Sequence, residues 1–300
     1  MRVTKPFCLG LMTRPFEMGR RFYLGASVLC FVPLGEEPAL FSEIGLWKLV
    51  TEELPPGVPL DLVIPKRVAE YLVVGRAFAP GGTPAPAVRA SARFGAATKS
   101  LIVVGDRFRD GGRVSAPRPF TEMPLDWSRA YGGPKFAENP LGRGMVEVGV
   151  PGVGLVVPLP NIEDPALPPE HRQFRPAGFG PLDQTWPQRA RHVGTHDDRW
   201  LKQDFPGFAR DMDWRFFNAA PADQHLRGAL SGTEDYAFEN LHPTEPLIQG
   251  RLPGIVPRLL IARRTAPEAL EEVALALTTV VFLPHRKRAV MIHHGVAEVA

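Results

Sequence analysis

Apolar positions along this chain recur in short runs, alternating or continuous and ended by Gly, Pro or Asp, and such a pattern predicts strands. The first long run, Arg21 to Val32, is rich in β-branched and aromatic residues and stops at Pro33, whose missing N–H cannot serve a central ladder. Tyr71 to Ala77, the alternating Ala87 to Phe94, and Ser100 to Val104 read the same way. One helix is predicted over Phe41 to Leu54, where partly apolar positions (Phe41, Ile44, Trp47 or Lys48, Val50 or Glu52) recur at helical spacing. Gly45 weakens it by up to about 1 kcal/mol relative to alanine.

From Pro117 to Pro257 the pattern dissolves into irregular chain with proline every few residues. Short strands are predicted at Val146 to Val150 and Gly154 to Val157. Thr195 is predicted to cap a helical turn through Trp200 and Leu201 that stops near Pro206. Strands return at Val273 to Leu283 and Ala289 to Ile292, and the polar link Pro284 to Arg288 makes them a hairpin. The pattern therefore predicts a mainly β fold: an antiparallel β-sandwich or barrel-like single domain over residues 1–300, with long irregular loops and a few short helices. Its parts are strand-rich 1–116, irregular 117–257 and C-terminal strands 258–300.

Composition supports a packed, turn-rich protein. The 33 prolines and 29 glycines of the 300 residues call for many turns, and an apolar fraction of 44% is enough to build a core. The two cysteines, Cys8 and Cys30, sit in apolar stretches and read as buried free thiols. Neither a secretory leader nor a run near the ~18 apolar residues of a membrane span is evident, so a cytoplasmic location with no membrane partner is expected. Net charge is +3, with arginines interleaved among carboxylates. Of the denser stretches, Arg107 to Arg118, broken by Asp110, and Arg286 to Arg288, neither gathers its charge on one face with a series of interleaved aromatics; they read as solvated loop, and no nucleic-acid partner is expected.

The spacing of the chemically capable residues matches no catalytic signature. Gly149, Gly152 and Gly154 lack the following helix of a phosphate loop, and neither Ser27 nor Ser231 lies in a nucleophile elbow. His192 and His196 have the i, i+4 spacing of a metal pair, but Gly194 lies between them. His293 and His294, adjacent on a strand, point to opposite faces. The aspartates at 197, 198, 204, 211, 213 and 223 match no calcium loop and suit caps and turns. No cofactor, metal or catalytic residue is expected, and the protein reads as a binder, not an enzyme.

The irregular middle carries a distinctive series: Pro119 to Leu125 (PFTEMPL), Arg129 to Pro134 (RAYGGP), Glu138 to Gly144 (ENPLGRG), Leu159 to Glu163 (LPNIE), Pro176 to Pro181 (PAGFGP) and Arg215 to Gln224 (RFFNAAPADQ). In content and order this series resembles the domain-of-unknown-function family DUF2169, whose members sit beside type VI secretion components. The resemblance implies an adaptor or chaperone that binds a cognate toxin effector and helps load it on the VgrG and PAAR spike. The family supplies no catalytic residues to carry over.

Trp127, Tyr131, Trp186, Trp200, Trp214, Phe216 and Phe217 are large anchors in irregular chain, and Asn218, Asp223 and Gln224 can tie down its backbone polar groups. These ten residues are candidates for loop anchoring or for partner binding, with Phe216 and Phe217 read first as core. Two alternatives stand beside the adaptor: an enzyme acting on a small molecule or on the effector through the His192 to Asp213 window, and a structural accessory protein of the spike.

Overall fold

In the computed structural model the β-branched and aromatic runs form the ladders that their composition favours. The structure describes residues 9–18, 21–35, 64, 66–152, 154–167, 175–228, 230–263 and 266–299. The helix expected over Phe41 to Leu54, and Cys8, lie outside the described residues.

The largest sheet has six strands. In it β1 (Leu9–Met18) forms a hairpin with β2 (Arg21–Pro33), and β2 pairs antiparallel with β21 (Arg288–Val299). Next to β21 comes β20 (Ala276–Leu283), then β3 (Ala69–Val73) parallel to β20, then β15 (His225–Leu226). A second, five-stranded antiparallel sheet is ordered β14 (Ile162–Glu163), β6 (Ala97–Val104), β5 (Ala87–Phe94), β16 (Asp235–Glu239), β17 (Leu247–Arg251). A four-stranded sheet is ordered β12 (Val148–Val150), β13 (Gly154–Pro158), β7 (Phe108–Asp110), β8 (Arg113–Val114). Two-stranded ladders join β4 (Arg76–Phe78) to β9 (Glu122–Pro124), β10 (Tyr131–Gly132) to β11 (Arg143–Gly144), and β18 (Leu259–Arg263) to β19 (Ala266–Val273). The helices α1 (Pro187–Ala190) and α2 (Asp198–Gln203) are short. The fold is mainly β and sandwich-like, with no closed barrel among the described residues.

The inner strands of the six-stranded sheet, β2, β21, β20 and β3, are buried on both faces over most of their length, which is why they read as continuous apolar runs. Ala26, Val28, Cys30 and Val32 of β2 share one core with Ala90, Ala92 and Phe94 of β5, Leu101 and Val103 of β6, and Tyr236 and Phe238 of β16. Phe282 is central to it, with the rings of Phe238 at 4.9 Å and Phe94 at 5.0 Å. On the other face Leu29, Phe31, Leu72, Val281 and Ile292 pack with Ala219 and Ala220 of the irregular segment.

Three local expectations change. The run Val273 to Leu283 is two strands, because Val273 ends β19 against β18 while Ala276 opens β20 against β21; an apolar run does not reveal a change of ladder. The run Tyr71 to Ala77 divides at Gly75, where φ is +152° and an added Cβ would lie 2.6 Å from the His285 ring. Arg107 to Arg118 is loop only in part, since Phe108–Asp110 and Arg113–Val114 form β7 and β8. The C-terminal hairpin forms as expected, turning through a 3-10 segment at Pro284–Arg286.

His293 and His294 are both buried, because each face of β21 is covered. His294 hydrogen-bonds Thr278, and His293 Nδ1 lies 3.8 Å from the Sγ of Cys30, a free buried thiol. Burial pushes the His293 imidazole down to about 4, offset in part by backbone contacts at Ile255 and Val28. The unfolded chain takes up that proton near pH ~6.5 and the folded chain resists it. Stability should therefore fall as pH drops from ~6.5 to ~4, with about 3 kcal/mol due to this group. Urea unfolding at pH 7 and pH 5 checks it: His293→Met should lose part of the difference, and an unchanged difference would count against a neutral buried imidazole.

Candidate partner-binding site

An irregular segment packed on a sheet must find partners for its backbone polar groups. Here the partner is a carboxylate: Glu70 of β3, fully buried, pairs with the equally buried Lys66. Glu70 Oε2 also accepts from Ala220 N at 2.9 Å and Asn218 Nδ2 at 3.0 Å. Burial alone would push the Glu70 carboxyl up, but Lys66 and these hydrogen bonds overcome it and hold the group below the usual carboxylate range. Asn218 donates also to Val68 O at 3.0 Å, and Gln224 Nε2 donates to Tyr71 O at 2.9 Å and Phe179 O at 2.8 Å. Asp223 accepts from Lys99 of β6 at 2.8 Å, so the segment 218–224 bonds to both large sheets.

Other polar side chains hold the remaining motifs. Asn139 Nδ2 donates to the carbonyls of Trp127 (2.8 Å) and Tyr131 (3.0 Å). Asn161 Nδ2 donates to Val104 O at 2.9 Å while its Oδ1 accepts from Arg143 (3.0 Å) and Arg129 (3.1 Å). Arg189, only 2% exposed, donates to the carbonyls of Leu182 (2.8 Å) and Phe216 (2.7 and 2.9 Å).

The aromatic candidates fall into separate groups. Trp186 is buried and meets Trp127 edge-on at 5.4 Å; Trp127 Nε1 donates to Pro181 O at 2.6 Å. Gly178 lies under that ring, where an added Cβ would come within 3.1 Å of it. Phe217 is buried, in contact with half-buried Phe216 and Trp214 and with Phe208, which packs on Phe16 of β1. Arg67 lies 5.5 Å over the Trp214 ring. Tyr131, half-buried, meets the ring of Phe136 at 5.5 Å.

Trp200 stands apart with exposed neighbours. It lies on α2, capped not by Thr195 but by Asp197, whose carboxylate accepts from Trp200 N at 2.9 Å. Its Nε1 donates to Gly207 O at 2.9 Å, and Phe208 N donates to Glu17 O at 3.3 Å, fixing the loop on the β1 edge. Phe205 meets Trp200 edge-on at 5.4 Å yet is 61% exposed, and Leu201 is 58% exposed. Apolar side chains held outward on a fastened loop suit contact with another protein.

Four aspartates of the His192 to Asp213 window, Asp197, Asp204, Asp211 and Asp213, are engaged locally. Asp211 accepts from Thr195 N (2.9 Å) and Oγ1 (2.7 Å), Asp204 from Arg210 (3.0 Å). Hydrogen bonds from Arg215 hold the Asp213 carboxyl down at about 2. His192 Nδ1 lies 3.7 Å from Asp213, whereas His196 lies edge-on to Trp200 at 4.4 Å. Among the described residues no three His, Cys, Asp or Glu side chains gather as a metal site would require, and no helix is long and apolar enough to cross a membrane.

Sequence reasoning did not select Glu70, Lys66, Asn139, Asn161 or Arg189. The two asparagines stood in quoted motifs and could have been found there; nothing local marks Arg189 or Glu70 as buried.

The family model described as an uncharacterised protein conserved in bacteria, DUF2169, matches residues 20–294. No curated protein and no solved structure matches the chain.

Removing the Glu70 charge strands Lys66 in the interior, so Glu70→Gln should cost about 3–5 kcal/mol. Phe217→Ala should cost a similar ~3–5 kcal/mol by truncating a buried ring. Because the Glu70 pKa is lowered, its contribution is present above the ordinary carboxylate range and disappears as pH falls through the lowered value. Equilibrium urea unfolding reads both losses; a Glu70→Gln protein as stable as the parent would remove the carboxylate from its anchoring role.

Proposed function

The chain belongs to the bacterial DUF2169 family, and on that footing we propose that it is a type VI secretion adaptor that binds one cognate toxin effector in the cytoplasm and assists its loading on the VgrG and PAAR spike. The motif series from Pro119 to Gln224 supports the secretion context through the resemblance stated above. The observation that carries the binding role is the pair of exposed apolar side chains, Leu201 and Phe205, on a loop fastened by Trp200, Asp197 and Gly207.

Binding through this site needs no catalysis. Asp197, Asp204, Asp211 and Asp213 of the neighbouring window cap turns or pair with arginines, which favours an adaptor over an enzyme. Affinity would come from desolvating an apolar centre, so added salt should weaken the complex only modestly.

Leu201→Asp combined with Phe205→Asp should leave stability within about 0.5 kcal/mol of the parent, since both side chains already face water. The same variant should lose the effector in co-purification, and deleting the gene should lower the level or secretion of one effector while general secretion continues. Loss of every secreted substrate would instead make the protein a part of the spike, and no change in any substrate would refute the adaptor role.

A further inference from the structure

The basic stretch Arg107 to Arg118 supplies β7 and β8 of the four-stranded sheet. Arg107 is engaged by Glu163. Arg109 has no such partner among the described residues. The ladder places Arg109 opposite Val157 on one side and opposite Val114 on the other. Directly opposed residues share a face of the sheet, and so do residues two apart on a strand. Leu155, Val157, Arg109 and Val114 therefore lie on one face. Val156, between Leu155 and Val157, points the other way and is 2% exposed.

Two of the four are open to solvent, Leu155 at 66% and Val114 at 56%. Half-buried Arg109 lies between the two valines. Asp110, next to it on β7, points to the opposite face, so the guanidinium on the apolar face has no carboxylate beside it on that strand. With strands about 4.8 Å apart, the patch is only about 10 Å across and 7 Å along. That is far below the ~800 Å² per partner that a second copy of the chain would need for a stable dimer. It suits a single extended segment. Aliphatic flanks in place of aromatic ones give bases nothing to stack on, which favours protein over nucleic acid.

We propose that this face binds an extended segment of a partner protein that presents apolar, acidic and apolar side chains at alternate positions, the carboxylate pairing with Arg109 and the apolar groups covering Val114, Val157 and Leu155. The surface is separate from the Leu201 and Phe205 loop and gives the adaptor a second contact, as a protein joining two partners requires. The inference takes from the adaptor reading only that the segment belongs to a secretion partner.

A short synthetic peptide, Thr-Val-Thr-Glu-Thr-Val-Thr, and its lysine-for-glutamate twin test the face by fluorescence anisotropy on the full chain. The acidic peptide should bind, with affinity falling about tenfold or more in Arg109→Glu, while the lysine twin should bind that variant better than the parent. Leu155→Ser, at an exposed position, should weaken the acidic peptide without moving Tm and serves if Arg109→Glu folds poorly. No binding by the parent, equal binding of the two peptides, preference for a single-stranded oligonucleotide, or a dimer in sedimentation that Leu155→Ser dissolves would each overturn the proposal. The titration is blind to any effector, so its failure removes this face and leaves the effector experiment standing, and the converse holds.

Discussion

The irregular half of this protein depends on a charge buried in its sheet. Glu70 is drawn into the interior of the six-stranded sheet and kept ionised by Lys66, and its second oxygen is the acceptor for Asn218 and Ala220. A buried carboxylate of this kind is a poor source of net stability but an exacting one of geometry, because every lone pair left without a donor is costly. The segment after Phe217 can therefore lie in few ways, and Ala219 and Ala220 are set down on the second apolar face of the sheet.

From that point order spreads outward by similar means. Gln224 joins the backbone at Tyr71 to that at Phe179, Arg189 gathers the carbonyls of Leu182 and Phe216, and Asn139 and Asn161 hold the turns around Trp127 and Val104. Side chains replace ladder hydrogen bonds, so long stretches with little regular structure are fastened to two sheets. Local openings should be confined to what these staples do not reach. The outward apolar groups at Leu201 and Phe205 sit at the margin of this network, and the Arg109 face on a short peripheral sheet.

How much of this could be read in advance follows from physics of short and long range. The β2, β5 and β6 strands were legible because each carries its pattern locally. Where a strand changes partners, as between Val273 and Ala276, composition stays apolar through the change and the sequence is silent. In the candidate site, Asn218 and Gln224 could be chosen for their amide groups, but the carboxylate that receives Asn218 lies 148 positions away and carries no local mark. Trp200 was legible as an aromatic anchor; that Phe205 and Leu201 beside it would remain exposed depends on the fold of the loop, which residue type alone does not determine. The Arg107 to Arg118 stretch misled because alternating arginines and short polar residues resemble solvated loop, whereas Val114, Leu155 and Val157 come together only through the ladder.

The central claim is that a rigidly stapled loop presents a small outward surface to an effector. Amide hydrogen exchange of the chain alone and in complex with the proposed effector measures this most directly. The account predicts slow exchange in Ala69–Val73 and 217–224 in both states, with new protection on binding concentrated at 198–208. Protection that appears chiefly at 217–224, with 198–208 unchanged, would contradict it, since the buried anchor and not the exposed loop would then be what the partner orders.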